Sequence, residues 1–427
     1  MGLSLEETKY LTGRRWSVLT ASCLINLCVG SMYAWSVFAA PMAAYLNELN
    51  GLTGDAALTP AALAVVFVVT NVVGPVMTLC GGYLHDTLGP KKMIFIGGLI
   101  FGGAMILSGL ATSLTFLMLS YGVGIGIGNG FVYICTISNS VKFFPDKRGL
   151  IGGLVTATYG LGSVIVPPIA NALITSVGVL DAFKFIGVAF VIVICGCSFL
   201  VLKCPAGFTP DGWTPPAPAP SQLRKDGSVD RNWKEMLADK IFYVMFFMLA
   251  CGAVSGLMII SQASSVAQNM VGMSRAAAAT AVSTLALFNA AGRVSAGYFS
   301  DKLGRVNTLT FMLGLSVVGL GTLYLTGSGS VTQFYVGVSI VGVCFGSFMG
   351  VYPGFTADQF GPKNSGFNYG IMFIGFGLAG ILGPNIMTKT FAATGGYQLS
   401  FMISAALAAL GIVISFIYRA MSKAKTA

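Results

Sequence analysis

Chemistry in this chain can be built on Arg293. It stands inside a long apolar stretch, eight positions before Asp301, so about 12 Å inside if the stretch is a helix rising 1.5 Å per residue. Asn289 lies one helical turn earlier on the same face. No Asp or Glu lies deep in any apolar run; Asp86, Asp301 and Asp358 come nearest, and all sit at run ends. A guanidinium without an internal acid requires an anion from elsewhere, and its planar fork fits a carboxylate. Asn289 can bond that carboxylate or hold Arg293. The plainer reading is an arginine that snorkels or bonds to helix carbonyls.

The elements that position Arg293 follow from composition. Hydrophobic residues make up 55% of the chain and charged residues 9%, against roughly a quarter charged in soluble domains. A soluble fold of this length has nowhere to hide so much apolar surface, whereas a lipid bilayer is its natural solvent. The runs predict an all-α membrane protein with twelve transmembrane helices near 16–45, 59–84, 91–111, 115–142, 148–173, 180–203, 240–266, 274–300, 305–326, 330–358, 363–390 and 397–420. The polar first 15 residues and the length of the first run argue against a cleaved signal. The hydrophilic segment 204–239 holds a Pro-rich run (213–220) and then NWKEML, which reads as a short surface helix. It divides the chain into an N-terminal six-helix bundle (1–203), a central cytoplasmic loop (204–239) and a C-terminal six-helix bundle (240–427).

The net charge of +10 does not indicate nucleic acid, because the basic residues lie in short loops. With the N-terminus inside, the outer loops hold Lys184, Arg275 and Lys389; apart from Arg293, the remaining Lys and Arg, including Lys225, Arg231 and Lys425, fall inside. That bias predicts both termini in the cytoplasm of a bacterial inner membrane. The nine cysteines show no metal spacing and read as small packing residues. Gly122-Val123-Gly124-Ile125-Gly126-Ile127-Gly128 imitates a dinucleotide loop, but it lies within an apolar run. Gly122, Gly126 and Gly130 instead make a small-residue face for close helix contact. No paired catalytic groups appear, so no enzyme, cofactor or metal is expected.

The halves repeat. Gly82-Tyr83-Leu84-His85-Asp86-Thr87-Leu88-Gly89 recurs 215 positions later as Gly297-Tyr298-Phe299-Ser300-Asp301-Lys302-Leu303-Gly304. Gly153, Tyr159, Gly160, Leu161 and Pro167 recur 217 positions later as Gly370, Phe376, Gly377, Leu378 and Pro384. An even number of spans per half makes the repeats parallel. His85 reads as a solvated loop residue.

The two G-Y-[LF]-x-D-x-x-G stretches resemble the loop motif of the major facilitator superfamily. Gly30-Ser31-Met32-Tyr33-Ala34-Trp35-Ser36-Val37-Phe38 resembles the first-helix signature of its oxalate/formate antiporter family, related to the monocarboxylate porters. Phe143-Phe144-Pro145-Asp146-Lys147-Arg148-Gly149, Thr356-Ala357-Asp358-Gln359-Phe360-Gly361 and Asn368-Tyr369-Gly370 match further segments of that family.

The resemblance implies a monomer of two parallel-repeat bundles that rock about a central site. It implies that Asp86, Gly82, Gly89, Asp301, Gly297 and Gly304 form the gate, the aspartates meeting helix N-termini and basic residues in one state. By the same resemblance, Tyr33 and Trp35, Tyr133, Tyr159, Phe345 and Phe348, and Phe373 and Phe376 wall the cavity around Arg293 and Asn289. Gln262 is a further polar candidate. The family's dicarboxylate carrier has a Lys where this chain has Phe376. One buried cation suits one carboxylate, which favours lactate, pyruvate or formate, carried with a proton or against a counter-anion. The alternative is oxalate:formate-type exchange.

Overall fold

The computed structural model describes residues 3–60, 62–218, 222–224 and 227–424, and among them there is no strand. The chain begins with α1 (Leu5–Val29), a 3₁₀ turn (Gly30–Ala34) and α2 (Trp35–Asn50). Next come α3 (Ala64–Leu88), α4 (Pro90–Ser108) and the short α5 (Leu114–Leu117), which passes through a π-helical stretch (Met118–Ile125) into α6 (Gly126–Phe143). Then follow α7 (Arg148–Val177), α8 (Val179–Ser198) and α9 (Trp233–Ala238). The second half holds α10 (Lys240–Asn269), α11 (Arg275–Leu303), α12 (Arg305–Tyr324), α13 (Val331–Phe360), α14 (Ser365–Met372), α15 (Ile374–Thr394) and α16 (Gln398–Ala424).

Local chemistry sets several ends. Ser4 and Glu7 form a reciprocal capping box at the start of α1, as do Asn232 and Glu235 at α9, which is the short helix expected from NWKEML. Gly89 and Gly304 each end one helix and begin the next at φ +90° and +89°, a backbone region open mainly to glycine.

The chain forms two compact units. One comprises Met1–Phe143 with Thr158–Asp211, the other Phe144–Ala157 with Gly212–Ala427. The start of α7, expected with the first bundle, therefore belongs to the second unit, as does the later part of the middle loop. In the first unit α3 packs on α6, α4 on both α6 and α8, and α1 on α6 and α8. In the second, α11 packs on α13, α12 on α13 and α16, and α10 on α13 and α16. The sequence repeat thus reappears as one scheme of helix pairings in each unit.

Helices in lipid gain little from burying apolar side chains against each other, so close backbone approach matters more. In the first unit, a β-carbon on Gly122, Gly126 or Gly130 would strike α3 at Val69, Val73 and Met77, one turn apart, as a small-residue face requires. In the second, Gly342, Gly346 and Gly350 of α13 lie against the α11 carbonyls of Leu285, Asn289 and Arg293. Apolar side chains of Met258, Leu285, Leu320, Phe334, Val338 and Phe401 fill the space beside that crossing.

Eleven helices among the described residues are long and apolar enough to span a membrane. The twelfth expected span corresponds to α11, a continuous 29-residue helix whose Arg293, Asn289, Ser and Thr residues lower its hydropathy. Of the expected inside cations, Lys225 and Lys425 lie outside the described residues, as do positions 219 and 220 of the Pro-rich run; the side chain of Arg275 is likewise not described.

Candidate functional site

In the second unit Arg293 is 7% exposed. Its Nε donates to Asn289 Oδ1 at 3.0 Å and its Nη1 to the Thr156 carbonyl at 2.6 Å. The first bond is the i, i+4 pairing expected on α11; the second comes from α7. A β-carbon on Gly153 of α7 or Gly350 of α13 would collide with the Arg293 carbonyl, and one on Gly346 with that of Asn289. Glycines of two helices therefore let their backbones close on α11 where it carries Arg293. Among the described residues no carboxylate forms an ion pair with Arg293, and Nη2 has no hydrogen-bond partner. The plainer reading is met in part, because one donor rests on a helix carbonyl, yet the fork keeps donors to offer an anion.

The expected aromatics separate into those brought together and those that pack elsewhere. Phe373 stacks on Phe376 at 4.6 Å, Phe376 lies 6.1 Å from Phe345, and Tyr369 extends the row at 5.8 Å from Phe373. Phe345 is seated on Gly256 of α10. Phe348 is fully buried beside Tyr352, with its ring over Gly252, so it is a packing residue in this structure. Gln262 is half-buried on α10 and makes no hydrogen bond among the described residues.

In the first unit Tyr33, Tyr133 and Tyr159 cluster, with ring centroids 6.0 Å (Tyr33–Tyr159) and 4.7 Å (Tyr133–Tyr159) apart. Phe67 joins from α3 at 5.9 Å from Tyr33, and the Tyr159 hydroxyl donates to Met32 Sδ at 3.1 Å. The 3₁₀ turn at Gly30 makes room for this, since a β-carbon there would overlap the Tyr159 carbonyl. Trp35 is not part of the cluster. It is buried against Tyr121 at 4.6 Å, because residues two apart on a helix cannot share a face.

The repeated motif has different partners in its two copies. Asp301 accepts hydrogen bonds from the amides of Gly149 and Leu150, both at 2.9 Å, and from Arg305 Nη1 at 2.6 Å. Those amides open α7, where first-turn N–H groups lack helical acceptors and favour an anion. Arg305 Nε also reaches Asp358 Oδ2 at 2.9 Å, and Arg148 Nη1 reaches Asp358 Oδ1 at 2.5 Å. Gly297 faces the Gly149 carbonyl closely. In the first unit, Asp86 Oδ1 pairs with Lys142 Nζ at 2.9 Å and meets His85 Nδ1 at 3.0 Å; Gly82 is buried in the same helix. His85 is 2% exposed, which corrects the expectation of a solvated loop residue: α3 runs through Leu88 and carries the ring inward.

Sequence reasoning missed Thr156, Phe67, Met32 and the pairing of Arg148 with Asp358. The aromatic Phe67 and the motif-borne Arg148 carried a faint signal; a backbone carbonyl carries none.

A family model described as Major Facilitator Superfamily matches residues 22–384 and 265–427. The chain is 27% identical over 404 residues to an oxalate:formate antiporter from Oxalobacter formigenes, covering 92% of this chain and 89% of that one. It is 25% identical over 424 residues to monocarboxylate transporter 12 from Xenopus laevis, covering 94% and 88%. Its fold resembles that of the Escherichia coli fucose:proton symporter, with a TM-score of 0.67, 12% identity and coverage of 94% and 98%.

Proposed function

This chain belongs to the Major Facilitator Superfamily, and we propose that it is a secondary active transporter of small monocarboxylates of the lactate, pyruvate and formate type. It is a multi-pass membrane transporter and not an enzyme; the substrate is the proposal. One observation carries it: Arg293 is buried on α11, is held by Asn289 and the Thr156 carbonyl, and has no acidic partner among the described residues. Burying a guanidinium that far into a span costs about 2.5–3.5 kcal/mol on insertion scales, and a carboxylate arriving with the substrate offsets that cost. The low hydropathy of α11 supports the same reading, because a helix that lines a polar path need not be apolar all round.

In the second unit the Phe345–Phe373–Phe376 row supplies apolar wall. In the first unit the Tyr33–Tyr133–Tyr159 cluster carries hydroxyls of the kind that donate to a carboxylate. Among the described residues no carboxylate sits in the middle of a span, so a proton travels as the undissociated acid or a counter-anion balances the charge. The cluster of Asp301, Arg305, Asp358 and Arg148 acts as a gate: its bonds to the first amides of α7 exist only while that helix start stays beside α11, which ties it to one state of an alternating-access cycle. The transporter lies in a bacterial inner membrane with both termini in the cytoplasm. Resemblance to the oxalate:formate antiporter favours dicarboxylate exchange as a second reading, but Phe376, stacked on Phe373, stands where a second cation would be needed.

Uptake of labelled lactate, pyruvate and formate into proteoliposomes tests the proposal. Arg293→Ala removes one side of a buried charge-assisted pair, worth about 2–5 kcal/mol, so uptake at sub-saturating substrate falls by roughly thirtyfold or more. Uptake unchanged in that variant would overturn the reading. Tight oxalate binding by the unaltered protein would move the assignment to the second reading.

A further inference from the structure

Of the segments Thr356–Gly361 and Asn368–Gly370, which resemble the family's, Asp358 joins the charge cluster of Arg305 and Arg148, whereas Gln359, Phe360, Gly361 and Asn368 meet the middle loop. The Arg231 amide donates to the Phe360 carbonyl at 2.9 Å. The Arg231 carbonyl accepts from Asn364 Nδ2 at 3.0 Å and Asn368 Nδ2 at 2.9 Å. Asp230 Oδ1 accepts from the Lys363 amide at 3.0 Å. Gly361, at φ +85°, leaves the space that Asp230 fills; a β-carbon there would overlap it. The guanidinium of Arg231 is buried over the Phe360 ring, pairs with Asp239 at 3.1 Å and donates to the Gln359 carbonyl at 3.3 Å. Asp239 in turn caps the start of α10 through the Ile241 amide, and Gln359 accepts from the Tyr418 hydroxyl of α16 at 2.7 Å.

We propose that Asp230–Asp239 is a clasp, a fixed part of the second unit that locks the start of α10 to the α13–α14 turn. Gln359, Gly361, Asn364 and Asn368 serve as its receptor and do not touch substrate. Gln359, Phe360, Gly361, Lys363, Asn364 and Asn368 each have a clasp contact. Gly361 supplies the positive φ and the open space, and the side-chain amides of Asn364, just before α14, and Asn368, within it, converge on a single carbonyl. An arginine this buried needs its acid, and Asp239 provides it. Asn368 lies on α14 five residues before Phe373, where the helix breaks. Seating α14 therefore sets the position of Phe373 and Phe376. That last consequence rests on the anion-site reading above; the clasp itself does not.

Hydrogen exchange on the full-length protein tests the clasp. The amides of Arg231 and Lys363 should exchange about a hundredfold or more slower than those of 212–214, as hydrogen-bonded groups in a stable unit do. Asn368→Ala should speed exchange at Arg231 about tenfold; Asn364→Ala gives the same readout if the first variant does not fold. A thermal-shift panel of lactate, pyruvate and formate should show weaker binding in Asn368→Ala, with Arg293 intact. Fast exchange at Arg231 in the unaltered protein overturns the clasp. Slow exchange that ignores both asparagine variants overturns the receptor assignment. Unaltered acid binding in a variant whose exchange has sped up overturns the link to Phe373 and Phe376. If no acid binds the unaltered protein, the anion reading fails, while the clasp is still decided by exchange.

Discussion

The two copies of the repeated motif share a backbone and differ in what they hold. Gly89 and Gly304 adopt nearly the same positive φ, each joining two helices without a linker. Past that glycine the copies diverge: Pro90 opens α4 and Arg305 opens α12. Arg305 bridges Asp301 and Asp358, and through Asp358 it reaches Arg148. Asp86 is met by Lys142 from the end of α6 and by His85 beside it. Duplication thus preserved the turn and left its electrostatics free to change. One arginine converts a local helix joint into a cluster that grips the start of another helix, and this asymmetry marks the second copy as the proposed gate.

The most severe test removes the cation from each copy. Arg305→Ala leaves two partly buried carboxylates short of a partner, whereas Lys142→Ala takes a cation from one. Breaking a buried pair costs about 3–5 kcal/mol, so Arg305→Ala should sit in that range and Lys142→Ala clearly below it. Reversible unfolding in mixed micelles measures both. Equal losses would mean that the two copies carry the same electrostatic load and would remove the reason to single out the second.

Much of this architecture was legible because apolar length is a one-dimensional signal. Eleven spans announce themselves by hydropathy, and Arg293 announces itself by interrupting the twelfth. The motif repeat was legible for the same reason, as was the glycine face of α6. Charge partners were not: Arg148 and Asp358 are 210 residues apart, and no spacing rule joins them. Trp35 shows a different limit. Its neighbour Tyr33 reaches the tyrosine cluster, but facing is fixed by the 3₁₀ turn between α1 and α2, which the sequence does not display. His85 was misplaced because the motif resembles a loop while α3 in fact continues through it. In the sequence Arg231 is one more loop cation, because its contacts with Gln359, Phe360 and Asp239 form only in the fold.

A milder pair of substitutions asks whether the shared backbone is truly equivalent. A β-carbon at Gly89 would come no closer than 3.5 Å to the Lys203 side chain, and one at Gly304 no closer than 3.8 Å to Asn307. Both are ordinary contacts, so any loss reports conformational strain alone. Alanine in this region costs about 1–3 kcal/mol. Gly89→Ala and Gly304→Ala should therefore destabilise by the same amount within experimental error, by the same unfolding measurement. A much larger loss at Gly304 would show that the second turn is coupled to its charge cluster.

The smallest effect belongs to the residue before the aspartate, which is His85 in one copy and Ser300 in the other. Ser300 Oγ accepts from Arg305 Nη1 at 2.6 Å and donates to the Gly297 carbonyl at 2.8 Å. Ser300→Ala keeps the β-carbon and opens no large cavity, so it deletes these bonds and little else. Arg305 retains both carboxylates, and the Gly297 carbonyl faces its own helix, so the expected loss is about 1 kcal/mol. In an Arg305→Ala background most of that loss should vanish, because the guanidinium that Ser300 serves is gone; coupled neighbours behave this way in a double-mutant cycle. Additive losses would place Ser300 outside the cluster and reduce the difference between the copies to the arginine alone.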